Sequence, residues 1–508
     1  MATPQEKLAE ALAALKAHQD TGRVAIKSDH LNRDHRERLI GAGFLTPVIK
    51  GWYIPSRPED VGDGETTAWY ASFWDFCADY LAGRFGEEWS LSPEQSVLIH
   101  AGNRTVPAQL MVRAPGARNK TTTLIHDTGI VEVRAQIAER DTRENVDGLA
   151  VFNLPHALIN STEKFFKFYA NDVRAALGLI RDSSELLSIL LEGGHSTIAG
   201  RLAGALRSIG RVSMADEVLR AMRAAGYTVN EINPFDDNRT ITLPVREESP
   251  YVNRMHTNWQ TMREDIIAAF PAPPGIPNDS EAYLKQVDEI YVSDAYHSLS
   301  IEGYRVNEQL IERVRSGAWN PDQVEADKQN RNAMAARGYW LAFNAVKKSV
   351  ERVLNNENAG DVAEQDHRDW YRELFGTSVE VGILEAADLA GYRNDQVYIR
   401  NSKHVPVKKE PILDCMPAFF AHLREEEHPA VRTVLGHWVF VYIHPYMDGN
   451  GRMGRFLMNV MLASGGYPWT VIPVERRAEY MQALESAGVN GSITPLATFL
   501  GALVGTTA

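Results

Sequence analysis

The sequence predicts a mainly α-helical, multidomain protein with an α+β region in its first half. Its 508 residues exceed what one hydrophobic core usually accommodates. Apolar side chains recur at helical spacing over most of the chain, whereas short β-like runs are concentrated in the first third. We therefore expect three domains, at residues 1–58, 59–240 and 250–508.

The composition narrows the class of protein further. A hydrophobic content of 44% and a charged content of 23% are typical of globular proteins, which excludes global disorder and a fibrous class. The net charge of −13 argues against nonspecific coating of nucleic acid. The two cysteines, Cys77 and Cys415, lack metal or disulfide spacing, and no apolar stretch resembles a membrane helix or an export signal. A cytoplasmic protein without membrane contact is expected.

The first 58 residues show the order helix, helix, hairpin. Thr3 is predicted to cap the first helix, with Glu6 closing a capping box. A second helix and two β runs follow, the runs joined at a Lys-Gly pair. Their predicted bounds are about Asp29–Ile40, Phe44–Ile49 and Trp52–Ile54. This order is typical of a winged helix.

Residues 59–240 predict an α+β domain followed by helices. An aromatic helix over Trp69–Phe85 precedes three β-rich runs, and helical periodicity returns over Asp172–Gly226. The β-rich runs are Gln109–Val112, Thr121–Ile125 and Ile130–Ala135. Asp236–Pro250 is polar and without sustained periodicity, so we expect a domain boundary there.

The C-terminal domain contains a short segment with several side chains that can take part in catalysis. The apolar run Val434–Ile443 predicts a buried helix, and Pro445 disfavours helical geometry at His444. A loop with two glycines, Asp448–Arg452, precedes a further apolar helix, whose first amides can hold an anion. Imidazole, carboxylate, glycines and two arginines three residues apart predict nucleotidyl transfer.

The roles of these groups follow from phosphate chemistry. His444 would accept the proton of an attacking hydroxyl, and Asp448 would hold Mg²⁺ against the phosphates of ATP. The two arginines, Arg452 and Arg455, would neutralise phosphate charge. A phosphate-binding turn without catalysis is the alternative interpretation.

The segment His444–Arg455 resembles the Fic family motif HPFx(D/E)GNGRxxR, with Tyr446 in place of Phe. The resemblance implies an all-α Fic fold, with its core at about residues 283–487, that transfers AMP from Mg-ATP to a Ser, Thr or Tyr hydroxyl of a protein. It also implies that the loop binds phosphate. Asn450 and Arg452 would contact the α and β phosphates, and Arg455 would reach the γ phosphate. Gly449 and Gly451 would also belong to the phosphate-binding loop.

Three further segments resemble parts of the same family. Ser298–Gly303 is similar to the inhibitory motif (S/T)xxxE(G/N), whose Ser298 and Glu302 would share one helix face. The resemblance implies that Glu302 pairs bidentately with Arg455 and occupies the γ-phosphate site. Gly391–Pro406 looks like the family's flap, a β-hairpin that docks the target by edge pairing through Val397, Tyr398 and Ile399. Arg477 and Tyr480 resemble the helix bordering the adenine.

Plainer interpretations stand beside these. Glu302 alone is an ordinary exposed helical carboxylate, and Tyr480 is alternatively a core residue. His437, seven residues before His444, is expected to pack within a helix rather than bind metal, because no third ligand is spaced to join it. His404 is expected at the surface.

The N-terminal half resembles the abortive-infection type IV antitoxin (AbiEi) family, through its winged-helix segment and the helices up to Phe235. The resemblance implies a link to toxin–antitoxin systems and DNA contact by four basic side chains. These are Arg33, Arg36, Arg38 and Lys50. A winged helix that contacts only protein is the alternative, since acidic residues are interspersed.

Two other functions compete with AMP transfer. The same loop could remove AMP, or transfer UMP or another phosphate-linked group, because it recognises phosphates more than the base. The chain could instead be a DNA-binding, antitoxin-like regulator in which the Fic domain senses nucleotide. Fic proteins often form dimers, so a homodimer is a further expectation, although no heptad pattern indicates its interface.

Overall fold

The computed structural model describes residues 3–58, 65–137, 139–235, 237, 239–243, 249–319, 331–380 and 384–507. The chain divides into two compact units. The first comprises Met1–Asn258 with Tyr398–Val405, and the second comprises Trp259–Val397 with Pro406–Ala508. Helices predominate in the described residues, which confirms the mainly α, multidomain class.

The first unit begins with the predicted helix, helix, hairpin order. The Thr3 side chain accepts from the Glu6 amide, and the capping box is complete. A short strand lies between the helices and joins the hairpin in an antiparallel sheet of order β1-β3-β2. The elements are α1 (Pro4–Gln19), β1 (Ile26–Lys27), α2 (Arg33–Gly41), β2 (Leu45–Ile49) and β3 (Trp52–Pro55).

The α+β region follows as predicted. A four-stranded sheet of order β4-β5-β7-β6, with β5 and β7 parallel, shares its core with the aromatic face of α3, and β8 and β9 form a hairpin. The elements are α3 (Thr67–Phe85), β4 (Ser90–Leu91), α4 (Pro93–His100), β5 (Gln109–Ala114), β6 (Lys120–Thr123), β7 (Gly129–Arg134), β8 (Arg143–Val146) and β9 (Leu149–Phe152).

Helices complete the first unit and confirm the periodicity seen from Asp172 onward. They are α5 (Leu154–Asn160), α6 (Glu163–Phe168), α7 (Ala170–Leu177), α8 (Ser184–Gly193), α9 (Ser196–Ser208) and α10 (Val212–Ala224). The predicted boundary at 236–250 lies partly outside the described residues. The observed division falls at Asn258, inside α11 (Pro250–Ala269). A separation between residues 58 and 59 stays a prediction.

The second unit contains helices and no strand in its described residues, as expected for an all-α domain. Its most buried helices are α17, which contains the apolar run Val434–Ile443, and α18. Tyr339 packs on Phe456 at 4.8 Å between ring centroids, which joins α14 to α18. The helices are α12 (Ser280–Ile301), α13 (Glu308–Arg315), α14 (Arg331–Leu354), α15 (Ala359–Glu380), α16 (Ile412–Glu425), α17 (Pro429–Ile443), α18 (Asn450–Ala463), α19 (Arg477–Asn490) and α20 (Thr494–Thr507).

The predicted β-hairpin of the flap, Gly391–Pro406, is wrong, since no strand forms in this described segment. Its backbone groups bond in other ways. Ser402 N–H closes a turn onto Ile399 O at 3.2 Å, and Lys403 O accepts from Val106 N–H at 2.9 Å within the first unit.

In the described ranges, no helix combines the length and apolarity that spanning a lipid bilayer requires.

Candidate active site

His444 ends α17 in a left-handed backbone conformation, with φ 56° and ψ 60°. Its Nδ1 lies 3.0 Å from Val441 O, and because a carbonyl only accepts, Nδ1 carries the proton. Among the described residues Nε2 has no hydrogen-bond partner. The pKa of His444 is lowered to about 4, chiefly because burial penalises the charged ring; the bond to Val441 opposes this shift and the Arg393 charge adds to it. The ring is therefore neutral at pH 7, with a free lone pair on Nε2.

Arg393 holds the backbone around His444, a role that the sequence did not reveal. Its Nε donates to His444 O at 2.8 Å, and its own N–H donates to Pro445 O at 2.9 Å. Its guanidinium also donates to Asp395 O and Val407 O. Arg393 itself is buried, 4% exposed.

Tyr446 and Asn450 are joined by two hydrogen bonds, which close the catalytic loop, residues 444–449. Tyr446 N–H donates to Asn450 Oδ1 at 2.9 Å, and Asn450 Nδ2 donates to Tyr446 O at 2.7 Å. The Tyr446 ring stacks on Tyr371, with centroids 3.8 Å apart and planes 9° apart. Asn450 thus shapes the loop through both ends of its amide group, and its contact with phosphate stays a prediction.

Gly449 allows α18 to begin directly behind this loop. Its φ of 78° is in the left-handed region, and a Cβ there would lie 2.7 Å from the Phe375 ring. The N–H groups of Asn450, Gly451 and Arg452 have no acceptor within the described ranges, as expected for a helix start without a side-chain cap. These amides and the helix dipole favour an anion.

Arg455 lies one turn further along α18 and is bound by the predicted inhibitory segment. Its Nη2 donates to Glu302 Oε1 at 2.7 Å and to Ser298 O at 3.0 Å, and its Nε donates to Ser298 Oγ at 2.9 Å. The pairing of Glu302 with Arg455 is present in the structure, whereas the bidentate form expected for it is wrong. Ser298 takes the donors that a second carboxylate oxygen would have used.

Glu302 ends α12 beside the first turn of α18. Gly303, with φ 87°, provides the left-handed residue after the helix, and Tyr304 N–H bonds back to Leu299 O at 3.1 Å. A Cβ on Gly451 would lie 2.3 Å from Glu302 Oε1. Burial alone would raise the pKa of Glu302, but the positive charges of Arg455 and Arg452 lower it. An ionised carboxylate therefore occupies the place where an anion would bind.

Asp294 is a further buried acid on this face of α12, one turn before Ser298. Tyr339 donates to Asp294 Oδ2 at 2.6 Å, and burial raises the pKa of Asp294 to about 6. Asp294, Ser298 and Glu302 are spaced four residues apart, which places them on one face of a helix. This spacing could have been recognised in the sequence.

Asp448 and Arg452 flank the start of α18. The Arg452 guanidinium lies 3.4 Å from Asp448 Oδ2 and 4.9 Å from the centre of the Phe375 ring. The Asp448 side chain is 65% exposed. Mg²⁺ in phosphate-transfer sites is held by one or two carboxylates together with phosphate oxygens and water. One exposed carboxylate beside anion-binding amides fits this requirement.

Three further residues make hydrogen bonds next to the site, namely Arg477, Tyr480 and His437. Arg477 Nε donates to Ile301 O at 2.8 Å, next to Glu302. Tyr480 is 1% exposed and lies 2.7 Å from His437 Nε2. His437 Nδ1 lies 2.8 Å from Gly454 O, so Nδ1 donates there and Nε2 accepts from Tyr480. Of the two interpretations of Tyr480, burial supports the core residue, and the packing role of His437 agrees with its contacts.

The predicted docking residues of the flap lie in different environments. Val397 is buried in the second unit, whereas Tyr398 and Ile399 belong to the first unit, where Tyr398 is 37% exposed. Their contact with a target stays a prediction. His404 is 6% exposed, so its expected surface position is wrong.

The basic side chains of α2 have different roles. Arg36 Nη1 donates to Ser28 O and to Leu31 O, so it closes the turn before α2. Arg33 pairs with Glu37 at 2.7 Å. Contact of Arg33, Arg36, Arg38 and Lys50 with DNA stays a prediction.

Part of the second unit is similar to known proteins. Residues 361–462 match the Fic/DOC family. Curated relatives include the protein adenylyltransferase Fic of Drosophila grimshawi, 30% identical over 52% of this chain and 52% of that protein, and of Drosophila willistoni, 27% identical over 52% and 51%. Among solved structures, Fic-1 (residues 134–508) from C. elegans is 18% identical, with a TM-score of 0.37 over 66% of this chain and 94% of that chain.

The chain therefore carries a domain of the Fic/DOC family in its C-terminal part. It spans about half the length of the curated relatives it matches.

Proposed function

We propose that this chain is a Fic-type protein adenylyltransferase that moves AMP from Mg-ATP to a Ser, Thr or Tyr hydroxyl of a protein. The observation that carries the proposal is the free Nε2 of a neutral His444 at the end of α17, on the loop that leads to the opening amides of α18. The names of the curated relatives support the same reaction.

The mechanism assigns one task to each group. His444 Nε2 takes the proton of the target hydroxyl as its oxygen bonds to the α phosphorus. The bond from that phosphorus to the bridging oxygen breaks, and pyrophosphate leaves with the electron pair. Arg452 and the amides of α18 stabilise the charge on the departing phosphates. Asp448 is the residue that would hold Mg²⁺, whose charge lowers the repulsion between phosphate oxygens.

We propose in addition that Glu302 inhibits this reaction. Its carboxylate lies at Gly451 and Arg455, where the γ phosphate of a productively bound ATP would lie. Two anions cannot share that place, so Glu302 must leave before ATP binds productively.

The same site would also serve two related reactions, removal of AMP and transfer of another nucleotide. Competition between labelled nucleotides separates them from AMP transfer. An antitoxin-like DNA regulator is the more distant alternative, and the intact His444 weighs against it, because nucleotide binding alone needs no general base. We further propose a homodimer and a cytoplasmic setting. The cytoplasmic setting is consistent with Cys77 and Cys415, which are buried and form no disulfide in the described structure.

Incubation with α-labelled ATP and Mg²⁺ tests the function, with the chain's own hydroxyls and a protein extract as acceptors. Label on protein is expected weakly for the wild type, strongly for Glu302→Gly and not for His444→Ala. Equal labelling of Glu302→Gly and the double variant Glu302→Gly/His444→Ala would refute the role of His444.

A further inference from the structure

We propose that Arg393 is the positioning residue that holds His444 in its reactive orientation. The inference deepens the proposed function and rests on it for the identity of the reaction. Arg393 does not touch the reacting atoms. It acts through the backbone on which His444 is carried.

Arg393 reaches two consecutive peptide units. Its side chain binds His444 O at 2.8 Å, and its own N–H binds Pro445 O at 2.9 Å. Since these carbonyls belong to the first two residues after α17, one residue fixes the rotation of the chain on both sides of Pro445. The direction of the His444 side chain follows from that rotation.

The need for such a restraint comes from the conformation of His444. Left-handed geometry at a residue with a Cβ costs energy and persists only where surrounding contacts determine it. Pro445 has no N–H and so cannot donate a hydrogen bond that would hold the loop. Arg393 supplies the missing contacts from outside the loop.

Arg393 is itself firmly placed. It is 4% exposed, and its remaining donors bind Asp395 O at 2.8 Å and Val407 O. A buried guanidinium is tolerated where it is hydrogen-bonded, and here each of its three nitrogens donates to a carbonyl. These carbonyls belong to residues 395, 407 and 444, so the side chain also ties residue 407 to the catalytic loop.

The neighbouring Tyr392 anchors Arg393 to α15. Tyr392 Oη lies 3.0 Å from His367 Nε2, and His367 Nδ1 lies 3.0 Å from Ala363 O. Nδ1 therefore donates to the carbonyl, and Nε2 accepts from Tyr392. The residue before Arg393 is thus hydrogen-bonded to a long helix. This contact restrains the backbone of Arg393 and so helps Arg393 to restrain the loop.

The test compares Arg393→Met and Arg393→Lys with a matched control, Arg432→Met, all in the full-length chain with and without Glu302→Gly. Arg432 is also partly buried in the second unit and donates to a backbone carbonyl, that of Glu426, and to Ser464 Oγ at 2.8 Å. Arg432→Met therefore also removes a partly buried guanidinium. The hydrogen bonds that Arg432 makes to Glu426 and Ser464 do not involve the catalytic loop.

Two readouts are measured on each folded protein, amide hydrogen exchange over residues 444–449 and the kinetics of AMP transfer. We expect faster exchange in that loop for Arg393→Met but not for Arg432→Met. In the Glu302→Gly background we expect kcat to fall about 100-fold for Arg393→Met with KM for ATP nearly unchanged, because a displaced base impairs the reaction more than binding. Arg393→Lys, which keeps the charge but not the planar fork, should lie between.

Unchanged exchange in Arg393→Met, or a kcat for folded Arg393→Met or Arg393→Lys equal to that of the Glu302→Gly parent, would overturn the inference. If Arg393→Met does not fold, Arg393→Lys decides by the same two measurements. If the Glu302→Gly parent transfers no AMP while loop exchange still depends on Arg393, the proposed function fails and the positioning role holds.

Discussion

Glu302 and Arg455 are joined by one hydrogen bond of 2.7 Å, and Ser298 receives the other two donated bonds of the guanidinium. One end of α12 thus neutralises and immobilises the arginine that the proposed reaction needs for phosphate. Since the charge-assisted bond and the serine contacts are separate, they can be removed separately.

Glu302→Gly is expected to raise the initial rate of AMP transfer at limiting ATP by about 10- to 100-fold, because a hydrogen bond to a charged group contributes about 1.5–3 kcal/mol. Label incorporation from α-labelled ATP measures the rate. Glu289→Gln is the control, since Glu289 is an exposed acid on the same helix, and its rate should equal that of the wild type. No rise for Glu302→Gly would contradict inhibition by this carboxylate.

Ser298→Ala is expected to give a smaller rise in rate and a measurable loss of stability. Arg455 Nε would lose its acceptor while remaining buried, which costs about 1–3 kcal/mol, whereas Ser298 O and Glu302 would still bind Nη2. Urea unfolding followed by circular dichroism measures the loss. Ser300→Ala, at a less buried position of the same helix, should be neutral.

The catalytic loop could be predicted because its chemistry is contiguous in the sequence. Pro445 explains why α17 ends at His444, and the glycines explain the helix start that follows. Arg393 could not be found in this way. It acts on His444 from 51 residues earlier, through backbone carbonyls that carry no residue-specific signal.

Tertiary contacts also explain the errors. The β-prone residues of the flap form no strand, and Lys403 O instead accepts a bond from Val106 N–H, which lies far away in the sequence. The pairing of Glu302 is single because Ser298, four residues earlier, has both a hydroxyl and a carbonyl within reach of Arg455. Spacing predicted which residues meet, but not how the donors are shared.

Tyr446→Phe is expected to raise the free energy of unfolding by about 1 kcal/mol. The Tyr446 hydroxyl is buried and has no hydrogen-bond partner within the described part of the chain, a state that costs about 1–3 kcal/mol. Its ring, stacked on Tyr371, would remain in place. Tyr480→Phe should have the opposite effect, because it removes the bond to His437. Chemical unfolding of both variants checks the signs, and destabilisation by Tyr446→Phe would show that the hydroxyl is satisfied.

Stability is expected to fall as the pH is lowered from about 6.5 to about 4. Burial lowers the pKa of both His367 and His437 to about 4 from an ordinary 6.5. Between these values the unfolded chain binds more protons than the folded one, so acid favours unfolding, and the trend from these two groups ends below pH 4. Each contributes up to about 1.4 kcal/mol per pH unit within the window.

Unfolding curves at pH 7 and pH 5 measure this slope. His437→Gln is the matched variant, because an amide can still donate to Gly454 O and accept from Tyr480 but does not titrate. This variant should reduce the slope of stability against pH by the contribution of one histidine. An identical slope in the variant would exclude His437 as a source of the acid sensitivity.

The most direct test of AMP transfer is to compare ATP labelled at the α phosphate with ATP labelled at the γ phosphate, using Glu302→Gly and Mg²⁺. The proposed reaction breaks the bond between the α and β phosphates. Protein should therefore carry the α label and none of the γ label, and Glu302→Gly/His444→Ala should carry neither. Protein that carries the γ label, or an α label that persists without His444, would contradict the account.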